Sequence, residues 1–276
     1  MAKYMRRQKF LNQLIIGIKG AGEMASGVAW RLYQANIRLI FMMEIPRPLA
    51  VRREVSFCEA LLCERKIVEG VEAVRVRGTE EIPSAWGKGQ IPVIADPQWL
   101  VIPEMNPDVL VDAILAKRNL GTGMKEAPLV IGLGPGFTAG ADTHMVIETN
   151  RGHDLGRVIL AGQAEPDTGL PGEVNGYASE RVLRAPASGV FNPVLHIGDM
   201  VEPGEIVGRV NGTVVRTNIG GVIRGLIAPG VEVTKGLKIG DVDPRGEIEH
   251  CITISEKARA IGGGVLEAIL RVYNEP

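Results

Sequence analysis

The chain has 276 residues, 45% of them hydrophobic, a formal net charge of −1 and three cysteines. Its length suffices for a sizeable buried core in one large or two ordinary domains. A near-neutral charge gives no electrostatic basis for binding nucleic acid or an anionic membrane, and three irregularly spaced cysteines make no disulfide framework, so a reducing cytoplasm is the expected compartment.

Lys3, Arg6, Arg7 and Lys9 imitate the basic start of an export signal. The apolar run that follows, Leu14–Ile18, is short and is stopped by Lys19, so no export signal is expected. No apolar run approaches the roughly 20 residues that span a bilayer.

Leu14–Ile18 reads instead as a buried strand. It runs into Gly20 and Gly22, then into a helical pattern with Ala25, Val28, Ala29 and Leu32 on one face. A second strand over Ile37–Met43 ends at Glu44, about twenty residues beyond the glycines, where a dinucleotide-binding unit places its ribose-binding acid. In that reading Gly20 permits a sharp turn and Gly22 lets amides reach a phosphate. Ala25 allows close helix–strand packing, and Glu23 opens a helix whose N-terminus favours anions. Arg47, Arg52 and Arg53 then either pair with a phosphorylated ligand or form a solvated basic face. Cys58 and Cys63 are a poor metal pair; Cys58, near those arginines, is either a reactive thiolate or an inert buried thiol.

Further strands are expected at Lys66–Val76, Ile91–Ala95, Val109–Leu115 and Pro128–Gly132. Together these predict a Rossmann-like α/β domain with a largely parallel sheet over residues 1–162. Gly132–Arg157 is the segment densest in chemistry, with six glycines among acids, histidines and arginines. Gly134 and Gly136 with Arg151 suit an anion. In a strand, Asp142, His144 and Glu148 share one face, so they are expected to converge as a metal site, as an acid–base group extended by His153, or as a structural polar network.

Residues 163–180, rich in proline, glycine and acids, read as a linker. Over 181–250 a shift of 32 residues aligns Gly189-Val190 with Gly221-Val222 and Gly204 with Gly236, an internal repeat of short strands. Ala185-Pro186-Ala-Ser-Gly189-Val190 resembles the biotinyl/lipoyl, or barrel-sandwich hybrid, domain. The hairpin that carries the modified lysine in that family reads Asn211–Arg216 here and has no lysine, so no lipoyl or biotin attachment is expected. Residues 251–276 read as a strand, Cys251–Ile254, and a helix, Ser255–Tyr273, completing the first domain. Gly262-Gly263-Gly264 should break that helix or admit another backbone.

With these pieces placed, the chain resembles the YqeB family of selenium-dependent molybdenum hydroxylase system proteins. The likeness is carried by GAGEMASGVAWRL, RPLAVRREVSFCEA, VIGLGPGFTAGADTHMVIETNRGHDLGRVI, RAPASGVF and SEKARAIGGGVLEA in that order. It implies an accessory protein that matures a molybdenum hydroxylase, acting on the molybdenum cofactor or its selenium ligand. Its partners would be the hydroxylase or other maturation proteins, and a homo-oligomer is expected. The rival readings are an NAD(P)-dependent oxidoreductase and a scaffold with a vestigial nucleotide site.

Overall fold

A computed structural model describes residues 9–274, so Lys3, Arg6 and Arg7 lie outside the described residues. The chain forms two compact units. The first comprises the described residues up to Pro46, Phe57–Asp167 and those from Ile254 onward; the second comprises Arg47–Ser56 and Thr168–Thr253.

In the first unit the strands are β1 (Ile15–Lys19), β2 (Leu39–Glu44), β3 (Arg65–Val68), β4 (Val71–Val76), β5 (Ile91–Ala95) and β6 (Val109–Asp112). They continue with β7 (Leu129–Leu133), β8 (Thr138–Ala139), β9 (Met145–Ile147), β10 (Val158–Ile159) and β11 (Gly162–Gln163). The helices are α1 (Glu23–Gln34), α2 (Ala60–Cys63), α3 (Ile82–Gly87), α4 (Val101–Met105) and the long C-terminal helix Glu256–Tyr273. Nine strands make one sheet in the order β10-β9-β7-β6-β1-β2-β5-β4-β3. Its central strands are apolar on both faces, with Ile16, Ile18, Phe41 and Met43 fully buried, as a sheet covered by helices on both sides requires. On one face α3 and α4 pack Ile82, Ala85, Val101 and Ile102 against Phe41, Met43, Leu110 and Val130.

Elsewhere α1 runs alongside the C-terminal helix. They meet at Gly27, where an added Cβ would sit 2.7 Å from that of Ala258. The C-terminal helix passes through its glycine triplet unbroken. Two of those glycines face backbone: a Cβ on Gly262 would lie 3.0 Å from the Gly27 carbonyl oxygen, and one on Gly264 2.2 Å from that of Gly156.

The second unit holds β12 (Val182–Arg184), β13 (Gly189–Pro193), β14 (Met200–Val201), β15 (Ile206–Val210), β16 (Thr213–Arg216), β17 (Gly221–Leu226), β18 (Glu232–Val233) and β19 (Lys238–Asp243). They form two antiparallel four-stranded sheets, β12-β19-β17-β14 and β16-β15-β13-β18. One core serves both, built on Phe191, Val207, Val210, Ile223, Ile239 and Val242. The segment Arg47–Ser56 joins this unit through Val51, whose carbonyl accepts the Leu226 amide at 2.8 Å.

The expected Rossmann-like domain with a parallel sheet beside a barrel-sandwich hybrid is corrected by this topology. The large sheet is mixed, because β3 and β10 close its two edges antiparallel to their neighbours, and the second unit is two separate antiparallel sheets. At the first edge the cause is local. Lys66–Val76 is not one strand but a hairpin, turned by Glu69 (φ 42°) and Gly70 (φ 81°), and two successive positive φ values send the chain back on itself. Two smaller expectations also fail: the strand of 109–115 stops at Asp112, and Cys251–Ile254 lies at the end of a short helix, Glu249–Ile252. No helix among the described residues is long and apolar enough to cross a membrane.

Asp243, fully buried in the second unit, gives the fold a pH dependence. Burial alone pushes its carboxyl up, but hydrogen bonds from the Arg245 side chain and amide, with the charges of Arg245 and Arg224, hold it at about 2 against the ordinary 3.8. A folded-state value below the unfolded one stabilises above pH 3.8, and that stabilisation, roughly 2 kcal/mol, disappears as pH falls through about 2. Acid unfolding followed by circular dichroism should therefore lose this component between those pH values in the wild type. The Asp243→Asn variant should show no such component.

Candidate functional site

The sheet's organisation concentrates side chains at the carboxyl ends of its parallel strands. β1 lies between β2 and β6, so the chain departs to opposite sides there, the position at which open α/β sheets leave a crevice. Lys19 and Asp112 are register partners at the ends of β1 and β6. Lys19 is fully buried. Its Nζ donates to Thr122 Oγ1 at 2.7 Å and to Glu126 Oε1 at 2.8 Å, and lies 5.5 Å from the centre of the Trp99 ring. Thr122 in turn donates to Asp112 Oδ2 at 2.7 Å. Burial raises the Asp112 carboxyl, against the hydrogen bonds of Thr122 and Ile114 and the charge of Lys19. The sequence reading missed this cluster, although its signal was present: an apolar strand that ends on a charge at Lys19.

The first glycine loop is built by its neighbours. Gly20 adopts φ +91° and donates its amide to the Met43 carbonyl at 2.7 Å. A Cβ there would meet the Ala113 carbonyl oxygen at 3.1 Å, so the loops after β1 and β6 touch. Glu44 accepts from the Ala21 amide at 2.9 Å and from the Ile45 amide at 2.8 Å. Burial raises its carboxyl, and those two amides oppose the rise. Both oxygens are thus engaged by main chain, and Glu44 braces the glycine turn where a ribose-binding role was expected. Ala25 is fully buried. Gly22 caps α1, Glu23 follows in its first turn, and a Cβ on Gly22 would find no heavy atom within 4 Å.

The second glycine loop follows β7 at the same edge. Gly134 donates to the Ile147 carbonyl at 2.8 Å, and a Cβ on Gly136 would fall 2.6 Å from the Arg118 backbone. The loop after β6 therefore lies between the two glycine loops and touches both.

Asp142, His144 and Glu148 do not converge, which corrects the expectation drawn from strand alternation. His144 precedes β9 and Glu148 follows it, so about four residues of strand, roughly 13 Å, separate them. At the far end, His144 Nδ1 accepts the Val130 amide at 2.9 Å, and burial lowers the imidazole's pKa. Asp142 accepts the Thr138 amide at 2.9 Å. At the near end the buried Glu148 carboxylate accepts three amides, from Thr149 at 2.6 Å, Asn150 at 2.7 Å and Glu165 at 2.7 Å. It fixes the loop that carries Arg151, which ion-pairs with Glu256, and the exposed His153.

Arg52 and Arg53 belong to the second unit. Arg52 donates to the carbonyls of His250 and Thr253, and Arg53 to that of Leu226. Cys58 is fully buried in the first unit, its amide on the Ala21 carbonyl at 2.9 Å, which does not suit an exposed reactive thiolate. Among the described residues no three His, Cys, Asp or Glu side chains are grouped to hold a metal. Lys257, in the first turn of the C-terminal helix, was also missed. Burial and the nearby Arg151 and Lys117 lower its amine's pKa, while Glu23 and Glu148 oppose them.

No protein-family model matches the chain. Over 264 residues, 96% of the chain, it is 46% identical to "Uncharacterized protein YqeB" of Escherichia coli strain K12. The chain is a relative of YqeB. That identity supports membership of the YqeB family, and the chain spans about half, 48%, of the length of this YqeB protein. Among solved structures, "TcdA (CsdL)" aligns with 96% of this chain and 90% of its own at 12% identity and a TM-score of 0.34. An aspartoacylase family protein from Mesorhizobium loti aligns with 83% and 84% at 13% identity and a TM-score of 0.27. The ectoine utilization protein EutE (DoeB) from Ruegeria pomeroyi, in its product-bound form, aligns with 82% and 56% at 11% identity and a TM-score of 0.24. At these scores none of the three assigns a fold or an activity to the YqeB relative.

Proposed function

We propose that this chain is an accessory protein in the maturation of a selenium-dependent molybdenum hydroxylase, and that it binds a nucleotide or a molybdenum-cofactor-type anionic ligand at the carboxyl edge of its large sheet. The binding part rests on one observation: three loops meet at that edge beside the start of α1, where Gly22 leaves open space before first-turn amides that have no intrahelical acceptor. The role rests on the resemblance of the quoted segments to the selenium-dependent hydroxylase system proteins; the identity to YqeB supports the family alone. The client hydroxylase and other maturation proteins are the proposed partners.

Mass spectrometry of small molecules released from freshly purified protein tests the reading. A nucleotide without a nicotinamide, or a pterin-type molybdenum ligand, in near-stoichiometric amount is expected, as is a loss of hydroxylase activation in cells lacking the protein. A bound nicotinamide cofactor, or full activation without the protein, would overturn it.

A further inference from the structure

The loop after β6 is fixed at both ends and nearly untethered between them. At the near end the Ala113 amide donates to the Lys19 carbonyl at 2.9 Å and the Ile114 amide to Asp112 Oδ1 at 3.2 Å. At the far end Asn119 Oδ1 accepts the Gly121 and Thr122 amides, both at 2.8 Å, and Thr122 is tied to Asp112 and to the buried Lys19. Between these anchors, no backbone group of residues 115–118 makes a hydrogen bond among the described residues. Leu115 and Lys117 also stand at φ 59° and 62°, the left-handed region that residues with a Cβ enter at a cost. Such an arc keeps its conformation only where something outside it holds it there.

Two contacts do so. At the tip, Lys117 Nζ lies 2.6 Å from Asp167 Oδ2, an exposed ion pair of the kind that contributes little. Beside it, the main chain of Arg118 rests on the second glycine loop. A Cβ on Gly136 would fall 2.6 Å from both the nitrogen and the Cα of Arg118 and 2.8 Å from its carbonyl carbon, and Gly136 stands at φ +107°. Only glycine admits that approach. The consequence for the sheet edge is direct: a ligand can reach Gly136 from that side only after the arc has moved away.

We propose that residues 115–118 form an autoinhibitory lid on the second glycine loop, latched shut by the Lys117–Asp167 ion pair and opened when that pair breaks. The proposal rests on the anionic-ligand reading above for what enters, while the lid itself is tested without a ligand. An arginine-specific protease should cut after Arg118 about two- to fivefold faster in Lys117→Gln and in Asp167→Asn than in the wild type, the range that one exposed pair commands. The double variant should be cut no faster than either single one, because both remove the same latch; this separates the pair from any other contact of Asp167. Inorganic pyrophosphate, titrated into the full chain by calorimetry, should bind tighter by the same factor in both single variants, since apparent affinity follows the open fraction. One substitution removes a positive charge and the other a negative one, so direct attraction for the anion would move the two affinities in opposite directions.

Unchanged cutting in both single variants, additive effects in the double variant, or pyrophosphate affinities that shift in opposite directions would each overturn the lid. So would an equal rise in cutting after the exposed Arg157, which would report general loosening instead of a local opening. Faster cutting after Arg118 in both variants, with pyrophosphate bound by none of the proteins, would keep the lid and remove the anionic-ligand reading.

Discussion

Replacing Glu148 by alanine is expected to lower the unfolding free energy by about 3–5 kcal/mol, a large effect for one side chain. The carboxylate accepts amides of Thr149, Asn150 and Glu165 at 2.6, 2.7 and 2.7 Å, and it is 3% exposed, so water does not substitute for it. Each lost charge-assisted bond leaves a main-chain donor short of an acceptor. Glu148→Gln keeps acceptor capacity on one oxygen and should cost about half as much. Denaturant midpoints measure the loss, and hydrogen exchange at the three amides locates it. A change below about 1 kcal/mol with those amides still protected would show that the loop does not depend on this carboxylate.

Gly264→Ala is expected to destabilise by about 2–3 kcal/mol even though alanine favours a helix by about 1 kcal/mol. The added methyl would lie 2.2 Å from the Gly156 carbonyl oxygen and 2.9 Å from Ile147 Cγ2, and backbone cannot swing aside as a side chain does. Gly263 is the internal control. A Cβ there has no heavy atom within 4 Å, so Gly263→Ala should stabilise by about 0.5–1 kcal/mol. Opposite shifts in melting temperature for two adjacent substitutions are the signature; shifts of the same sign would mean that the close approach is absent.

Those glycines also mark how far the sequence could be read. The triplet was expected to break a helix or admit another backbone, and only the second occurs, because the neighbours of Gly262 and Gly264 come from residues 27 and 156. The strand expected over Lys66–Val76 is the hairpin β3–β4, because the two positive φ values at Glu69-Gly70 that reverse it are set by backbone conformation rather than hydropathy. Alternation placed Asp142, His144 and Glu148 on one face, yet a shared face does not fix a shared end. Glu148 turned back onto its own loop, and His144 onto Val130.

Periodicity and turn chemistry, which act within a few residues, were enough to mark β1, the glycine turn at Gly20, the start of α1 and the 32-residue repeat. The burial of Lys19 against Glu126, 107 residues away, and the mixed order of the sheet were decided only by long-range packing. A local pattern records how a segment prefers to bend, whereas the energy of a buried charge depends on which distant groups the folded chain places around it.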